Sequence, residues 1–188
     1  YRMISAPGFF QNQKTNHNNY RFGSWYQSVN KRYQNFVVVT GNKLISGENG
    51  GIRNDLAYLD DPAFKDRLNI PTNLGGGTVQ SRNFFGTDIT TGTKYTNASY
   101  LLRQQYDIVG QKDSIVTDSS VIPLFYPRLR AEHTLNYKTY KYRFVDENPR
   151  ESFPFYHNNY NFADTPRNVF IQDYWRELVN DFSLYQYP

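Results

Sequence analysis

Residues 128–144, RLRAEHTLNYKTYKYRF, carry the pattern that decides the fold class of this chain. Apolar and polar side chains alternate there, with one parity comprising Leu129, Ala131, His133, Leu135 and Tyr137 and the other Arg128, Arg130, Glu132, Thr134, Asn136 and Lys138. Such alternation predicts a β-strand with one apolar and one polar face. At about 3.4 Å per residue the strand would be roughly 50 Å long. Soluble strands average about 5–6 residues and a tilted transmembrane strand needs about 9–11, so the length favours a membrane-spanning strand.

The alternation changes parity near Thr139. Aromatic side chains then occupy positions 140, 142 and 144, and basic side chains occupy positions 141 and 143. A β-bulge would cause such a change, and so would passage of the strand through an aromatic band at a membrane interface.

The composition combines many aromatic residues with a polar average. The 188 residues include 17 Tyr, 14 Phe and 2 Trp, while hydrophobic residues total only 38% and the mean hydropathy is −0.75. Disordered chains lack aromatic residues, so this chain is expected to fold. A β-protein with one wet and one apolar face accounts for both facts, and so does a soluble carbohydrate-binding β-sandwich.

Several functional classes receive little support. The net charge of +4 comes from basic residues spread along the chain, whereas nucleic-acid binding usually needs a clustered basic patch. The lack of cysteine excludes disulfides and thiolate metal sites. No apolar run approaches the roughly 18 residues of a transmembrane helix, and no phosphate-binding loop or catalytic serine motif occurs. We therefore predict no enzymatic activity, no cofactor, no metal ion and no nucleic-acid partner.

The sequence contains two groups of residues of the types that bind metal ions. The histidines, His17, His133 and His157, are far apart and lack ligand-like spacing. Of these, His133 lies on the apolar parity, where a surface or interfacial histidine is expected. One predicted loop contains the carboxylates of Glu48, Asp55, Asp60 and Asp61. They could hold calcium, but they lack the spacing of an EF-hand, so solvated loop charges are the simpler interpretation.

Alternation and turn residues predict about six strands. Residues 20–28 and 33–45 form a predicted hairpin around the polar turn 29–32, and residues 100–109 form another strand. A last strand is expected from about Leu178, although Trp175, Leu178, Val179 and Phe182 also have helical spacing.

Long connections are predicted at 47–77, 111–127 and 146–165. Within the first, residues 62–68 are a candidate short helix, because Pro62 follows two aspartates and proline favours the first helical position. Loops of this length are uncommon in compact soluble domains, whereas outer-membrane barrels have long loops on one side and short turns on the other. The predicted fold is therefore all-β, an antiparallel transmembrane β-barrel, with residues 1–188 as one segment of a longer barrel chain.

The polar parity of the predicted strands is rich in arginine. Its candidate lumen-facing residues are Arg21, Arg103, Gln105, Arg128, Arg130 and Glu132. If the apolar parity contacts lipid, these side chains face the lumen, where a ring of basic residues would favour anionic solutes. The alternative is the solvated outer face of a soluble sheet with no transport role.

Specific motifs add a family resemblance. They are a Gln-Asn-Gln stretch at 11–13, a Lys-Arg turn at 31–32, Glu-Asn-Gly-Gly-Ile at 48–52, SRNFF at 81–85 and DENPRE at 146–151. Together they resemble the putative-porin family of outer-membrane β-barrels of Bacteroidota. Family members have more strands than the six expected here, and a barrel needs at least about eight, so the chain is expected to be an internal portion of a barrel. Residues 86–97 also form a longer stretch than the resemblance leads us to expect.

The resemblance implies a barrel in the outer membrane of a Gram-negative bacterium. Its activity would be passive passage of small polar solutes, or service as a barrel subunit of a larger outer-membrane assembly. The implied partners are the lipid bilayer, the solutes and, in an assembly, other outer-membrane proteins. The resemblance implies no catalytic residues. The remaining alternative is a soluble β-sandwich that binds carbohydrate through exposed aromatic side chains.

Overall fold

The computed structural model describes residues 1–6, 8–53, 60–75, 89–150, 152–164 and 168–188. Six strands are present in these residues: β1 (Arg2–Ala6), β2 (Thr15–Gln27), β3 (Tyr33–Gly47), β4 (Thr91–Thr117), β5 (Ser120–Asp146) and β6 (Val169–Gln186). An α-helix, α1, spans Phe153–Tyr160.

The strands form one sheet whose spatial order follows the chain, β1-β2-β3-β4-β5-β6. The first pair is antiparallel, with Met3 opposite Asn18 and Ile4 opposite His17. An all-β antiparallel sheet with about six strands is therefore confirmed. Sequential order is what short turns between neighbouring antiparallel strands produce.

The alternating segment at 128–144 lies inside β5, which is 27 residues long, as is β4. Even-numbered side chains of β5 contact β4 both before and after Thr139, where the sequence pattern changes parity. Asn136 lies next to Ser99 at 3.4 Å, and Asp146 accepts a hydrogen bond from Thr91 at 2.9 Å. The same face of the strand is therefore polar in its first part and aromatic at positions 140–144.

The predicted loop at 111–127 is wrong. β4 runs to Thr117, and β5 begins at Ser120 after the two-residue turn of Asp118 and Ser119. The Thr117 hydroxyl donates to the carbonyl of Ser120 at 2.9 Å and accepts from its backbone N–H at 3.2 Å, which closes the turn. The segment contains Pro123 and Pro127, and strands tolerate proline where its missing N–H is not needed for pairing.

The predicted hairpin at 20–45 is confirmed. Its turn is 28–32, where the Ser28 hydroxyl accepts from the Tyr33 N–H at 2.9 Å and Lys31 adopts a positive φ of 57°. On the strands, the ring of Tyr20 lies directly over Gly41, so closely that a β-carbon at Gly41 would overlap the ring.

The long connections contain short helices. Residues 62–68 form two 3-10 turns, Pro62–Phe64 and Arg67–Asn69, instead of one helix. The Asp66 carboxylate accepts from the Leu68 N–H at 3.1 Å, so it caps a second turn and interrupts the first. The predicted connection 146–165 likewise contains α1, which ends at Asn161 in the left-handed conformation with φ of 54°. The motif at 81–85 lies outside the described residues.

The last strand begins at Val169 instead of the predicted Leu178. Trp175 belongs to it and stacks on Tyr140 of β5 with ring centroids 5.0 Å apart and planes 13° from parallel. This cross-strand aromatic pair is worth about 0.5–1 kcal/mol in a sheet. Residues 175–182 belong to a strand that pairs with β5, despite their helical spacing.

The chain divides into two compact units. The first comprises 1–19, 42–97 and 140–175, and the second comprises 20–41, 98–139 and 176–188. The first unit has an apolar core, whose buried members are Ile45, Ile70, Leu74, Ile89, Tyr156 and Val169. Among the described residues of the second unit, no apolar side chain is buried.

Candidate functional site

A charged surface runs across β4 and β5 in the second unit. Arg103 Nη2 lies 2.9 Å from Glu132 Oε2, with Arg103 on β4 and Glu132 on β5. Odd-numbered residues of β4 therefore share a face with even-numbered residues of β5. We call this surface the polar face, and it contains the sequence-predicted residues Arg103, Gln105, Arg130 and Glu132.

The best-defined contact on the polar face joins Arg130 and Asp107. Arg130 Nε donates to Asp107 Oδ1 at 2.6 Å, and its Nη2 donates to Oδ2 at 3.2 Å. The Asp107 side chain is 4% exposed and that of Arg130 is 21% exposed. The guanidinium also lies 5.7 Å from the ring centroid of Tyr187. Asp107 was not predicted as a site residue, although it has the same parity as Arg103.

Arg103 and Gln105 also border a shallow depression of about 240 Å³, with Trp25 and Phe36 on its other side. The depression places β2 and β3 side chains on the same face as the charged pair. By strand alternation Arg21 and Arg128 belong to this face too. Within the part of the chain that the structure describes, neither makes an ion pair.

Three positive charges of the polar face are matched by carboxylates. Besides the two pairs above, Lys138 Nζ lies 3.3 Å from Glu177 Oε2. The sequence predicted a basic ring that would favour anions, and the paired carboxylates reduce the net charge on which that preference depends.

The opposite face of the second unit is mostly aromatic and aliphatic, with exposed side chains that include Tyr20, Phe22, Tyr26, Tyr100, Tyr106, Leu178, Phe182 and Leu184. A polar row crosses it: the Tyr33 hydroxyl donates to Gln104 at 2.8 Å. His133 lies between Gln104, at 3.4 Å, and Asn180, at 2.8 Å. His133, which the sequence predicted to be a surface or interfacial residue, thus connects side chains of β4 and β6.

The first unit is built around Asp146, which is fully buried. Its carboxylate accepts from the hydroxyls of Thr91 and Tyr156, each at 2.9 Å. The backbone N–H of Asn148 donates to it at 3.0 Å. The carboxylate therefore ties β4, the end of β5 and α1 together. No sequence motif predicted this arrangement, because its members are brought together only by the fold.

An aromatic pocket of about 310 Å³ lies beside this carboxylate. Its aromatic lining consists of Tyr142, Phe144, Phe155, Tyr156, Tyr160 and Phe162. Tyr156 and Phe162 stack with centroids 5.5 Å apart. Among the described lining residues Glu48 is the charged one, and its carboxylate accepts a hydrogen bond from the Thr93 hydroxyl.

The buried Tyr156 hydroxyl predicts a loss of stability at alkaline pH. Burial, with the hydrogen bond and charge of Asp146, raises the pKa of Tyr156 above its ordinary value of 10.0. As the pH rises, Tyr156 ionises in the unfolded chain before it does so in the folded protein. The stabilisation from its buried neutral hydroxyl is therefore complete below about pH 10 and declines above it by up to about 1.4 kcal/mol per pH unit. We expect wild type to lose more unfolding free energy than Tyr156→Phe between pH 9 and 11, measured by urea unfolding with near-UV circular dichroism. Equal losses would contradict this assignment.

Metal binding finds no support in the described ranges, where no group of three or more His, Asp or Glu side chains could hold an ion. Of the loop carboxylates suggested by the sequence, Asp61 accepts from the Ala63 N–H at 2.8 Å and so caps a 3-10 turn. Asp55 lies outside the described residues. Across those same ranges, no helix is long and apolar enough to span a membrane.

These features define a class: an antiparallel sheet of long strands, with a charge-paired polar face opposite a face of exposed aromatic and aliphatic side chains. Comparison with known families agrees. The family model described as "Putative porin" matches residues 1–187, so the chain belongs to that family. Membership is consistent with an outer-membrane β-barrel and suggests a channel role without enzymatic activity. No curated protein and no solved structure matches the chain.

Proposed function

We propose that this chain forms part of an outer-membrane β-barrel through which small polar solutes pass passively. The observation that carries the proposal is the division of the second unit into two unlike faces. Arg103, Arg130 and their carboxylates occupy one face, and aromatic and aliphatic side chains are exposed on the other. In a barrel these faces become a wet lumen and a lipid-contacting surface.

The missing apolar core of the second unit supports the same proposal. A sheet in a soluble domain buries one face against another layer, yet no apolar side chain is buried among this unit's described residues. Lipid would cover the apolar face without a second protein layer. Family membership points the same way. In this proposal Arg21, Arg103, Gln105, Arg128, Arg130 and Glu132 line the lumen.

The proposed location is the outer membrane of a Gram-negative bacterium, with lipid and solutes as partners. The second form of the proposal is that the barrel serves as a subunit of a larger outer-membrane assembly. In that form it does not conduct solutes. A soluble β-sandwich requires two facing sheets, and the described residues form one sheet, so this observation favours the barrel.

Planar-bilayer recording of the full protein, purified in detergent, tests the proposal. We expect stepwise openings, with the anion-to-cation permeability ratio lowered by Arg103→Gln and raised by Glu132→Gln. Each shift should be on the order of twofold, because a unit charge in water contributes about 1 kcal/mol at 4 Å and less when screened by salt. The measurement is the reversal potential in a salt gradient.

The matched control is Lys43→Gln. Lys43 lies on β3 with the parity opposite to that of Phe36, so this change removes a charge from the face opposite the polar face. It should leave the reversal potential unchanged. Silent bilayers from a folded, heat-modifiable barrel would reject passive passage and favour the assembly subunit. Recovery of the protein as a soluble species without detergent would reject the barrel itself.

A further inference from the structure

The aromatic pocket of the first unit is lined by residues that favour a ligand with a positive charge. Rings form most of its lining, and their faces carry partial negative charge. The rings of Phe155 and Tyr160 have centroids 6.1 Å apart, and those of Tyr156 and Tyr160 are 6.3 Å apart. Tyr156 and Phe162 stack on each other, whereas the ring of Tyr160 is tilted by 56° from Phe155 and by 45° from Tyr156 and remains exposed.

The charge beside these rings is negative. Glu48 is among the lining residues, and Asp146 lies behind Tyr156, whose hydroxyl donates to it. No lysine or arginine is among the described residues that line the pocket. An anion would therefore meet ring faces and a carboxylate, both unfavourable to it, whereas a cation would find both favourable.

Glu48 is held in place for this role. Thr93 donates a hydrogen bond to its carboxylate, and the side-chain amide of Asn12 donates to its backbone carbonyl. The one hydrogen bond from Thr93 leaves acceptor capacity on the carboxylate, which can take about four donors. The carboxylate can therefore approach a second positive or donor group.

We propose that this pocket binds a small organic cation of the quaternary or tertiary ammonium class. The exposed ring of Tyr160, among the other aromatic lining residues, would contact the alkylated nitrogen, and the Glu48 carboxylate would balance its charge. The volume of about 310 Å³ is at the lower end of ligand pockets, which span about 300–1,000 Å³, and so limits the ligand to a small ion. The proposal does not depend on conduction.

The test is titration calorimetry of the full protein with choline, in a polyoxyethylene detergent that carries neither a sugar nor an ammonium group. We expect saturable binding of choline and binding at least about fivefold weaker for its uncharged isostere, 3,3-dimethylbutan-1-ol. Glu48→Gln should weaken choline binding about fivefold or more, and Tyr160→Leu about threefold or more. Each substitution should reduce the affinity for the uncharged isostere less than it reduces the affinity for choline.

Glu147→Gln is the matched control, because it removes an exposed carboxylate that does not line the pocket. Its choline affinity should equal that of wild type. If Glu48→Gln loses the heat-modifiable folded form, Tyr160→Leu carries the test, since Tyr160 is 63% exposed. Equal binding of choline and its isostere, binding of neutral sugars in preference to choline, or no binding of choline would each overturn the proposal.

Discussion

Replacing Asp107 by asparagine should lower the free energy of unfolding by about 1.5–3 kcal/mol, because it removes the counter-charge of the partly buried Arg130 guanidinium. Both oxygens of the carboxylate now accept from Arg130, at 2.6 and 3.2 Å. An amide offers one oxygen and turns its NH2 group towards a second donor. The measurement is urea unfolding in detergent micelles, followed by the loss of the heat-modifiable form on gels.

The control for this prediction lies on the same strand and the same parity. Asp113 is exposed, and its carboxylate accepts only from the neighbouring Ser114 N–H among the described residues. Asp113→Asn should therefore change stability by less than about 0.5 kcal/mol. Adding Arg130→Met to Asp107→Asn should recover part of the loss, because no unpaired charge then remains. A loss no larger than that of Asp113→Asn would show that Arg130 and Asp107 do not depend on each other.

Asp146→Asn should destabilise the first unit by a similar amount, about 3 kcal/mol. The carboxylate is fully buried and accepts from Thr91, Tyr156 and Asn148. An amide cannot accept from both hydroxyls through separate oxygens, so at least one buried donor loses its partner, at about 1–3 kcal/mol, and the charge-assisted character of the others is lost. The expected observation is faster hydrogen exchange of the α1 amides.

Single removals of the donors provide the comparison. Tyr156→Phe and Thr91→Val should each cost about 1 kcal/mol. Combined with Asp146→Asn they should be less than additive, since the partners act on one carboxylate. Asp164→Asn, at an exposed position beyond α1, is the control. If Asp146→Asn left α1 exchange unchanged, the carboxylate would not be what holds the helix against the strands.

The long alternating strand was predictable because period-two alternation is a local signal. The segment at 128–144 lies in β5 as expected, and the hairpin around 28–32 followed from its polar turn. The segment 111–127 was mistaken for a loop because its prolines and polar residues weigh heavily in local statistics. In the structure this segment contains the end of β4 and the start of β5, which pair with each other. That pairing cannot be recognised from the sequence of either strand alone.

The site was predictable to the same extent. Parity grouped Arg103, Arg130 and Glu132 correctly on one face, but it could not show that their charges would be paired. The Asp146 cluster was beyond local analysis, because Thr91 is far from it in sequence and α1 was expected to be loop. A signal for α1 was present: Pro154 in the first turn and Asn161 as the left-handed cap.

The two-residue turn at Asp118 and Ser119 has a consequence for the whole hairpin. Because side chains alternate every residue, slipping β5 by one position against β4 would move every polar side chain of the strand to the opposite face. The clasp between Thr117 and Ser120 thus fixes the register of two 27-residue strands. Inserting one residue beside Ser119, with the two strands still paired, would therefore move Arg130 and Glu132 to the face that now carries His133 and Tyr137.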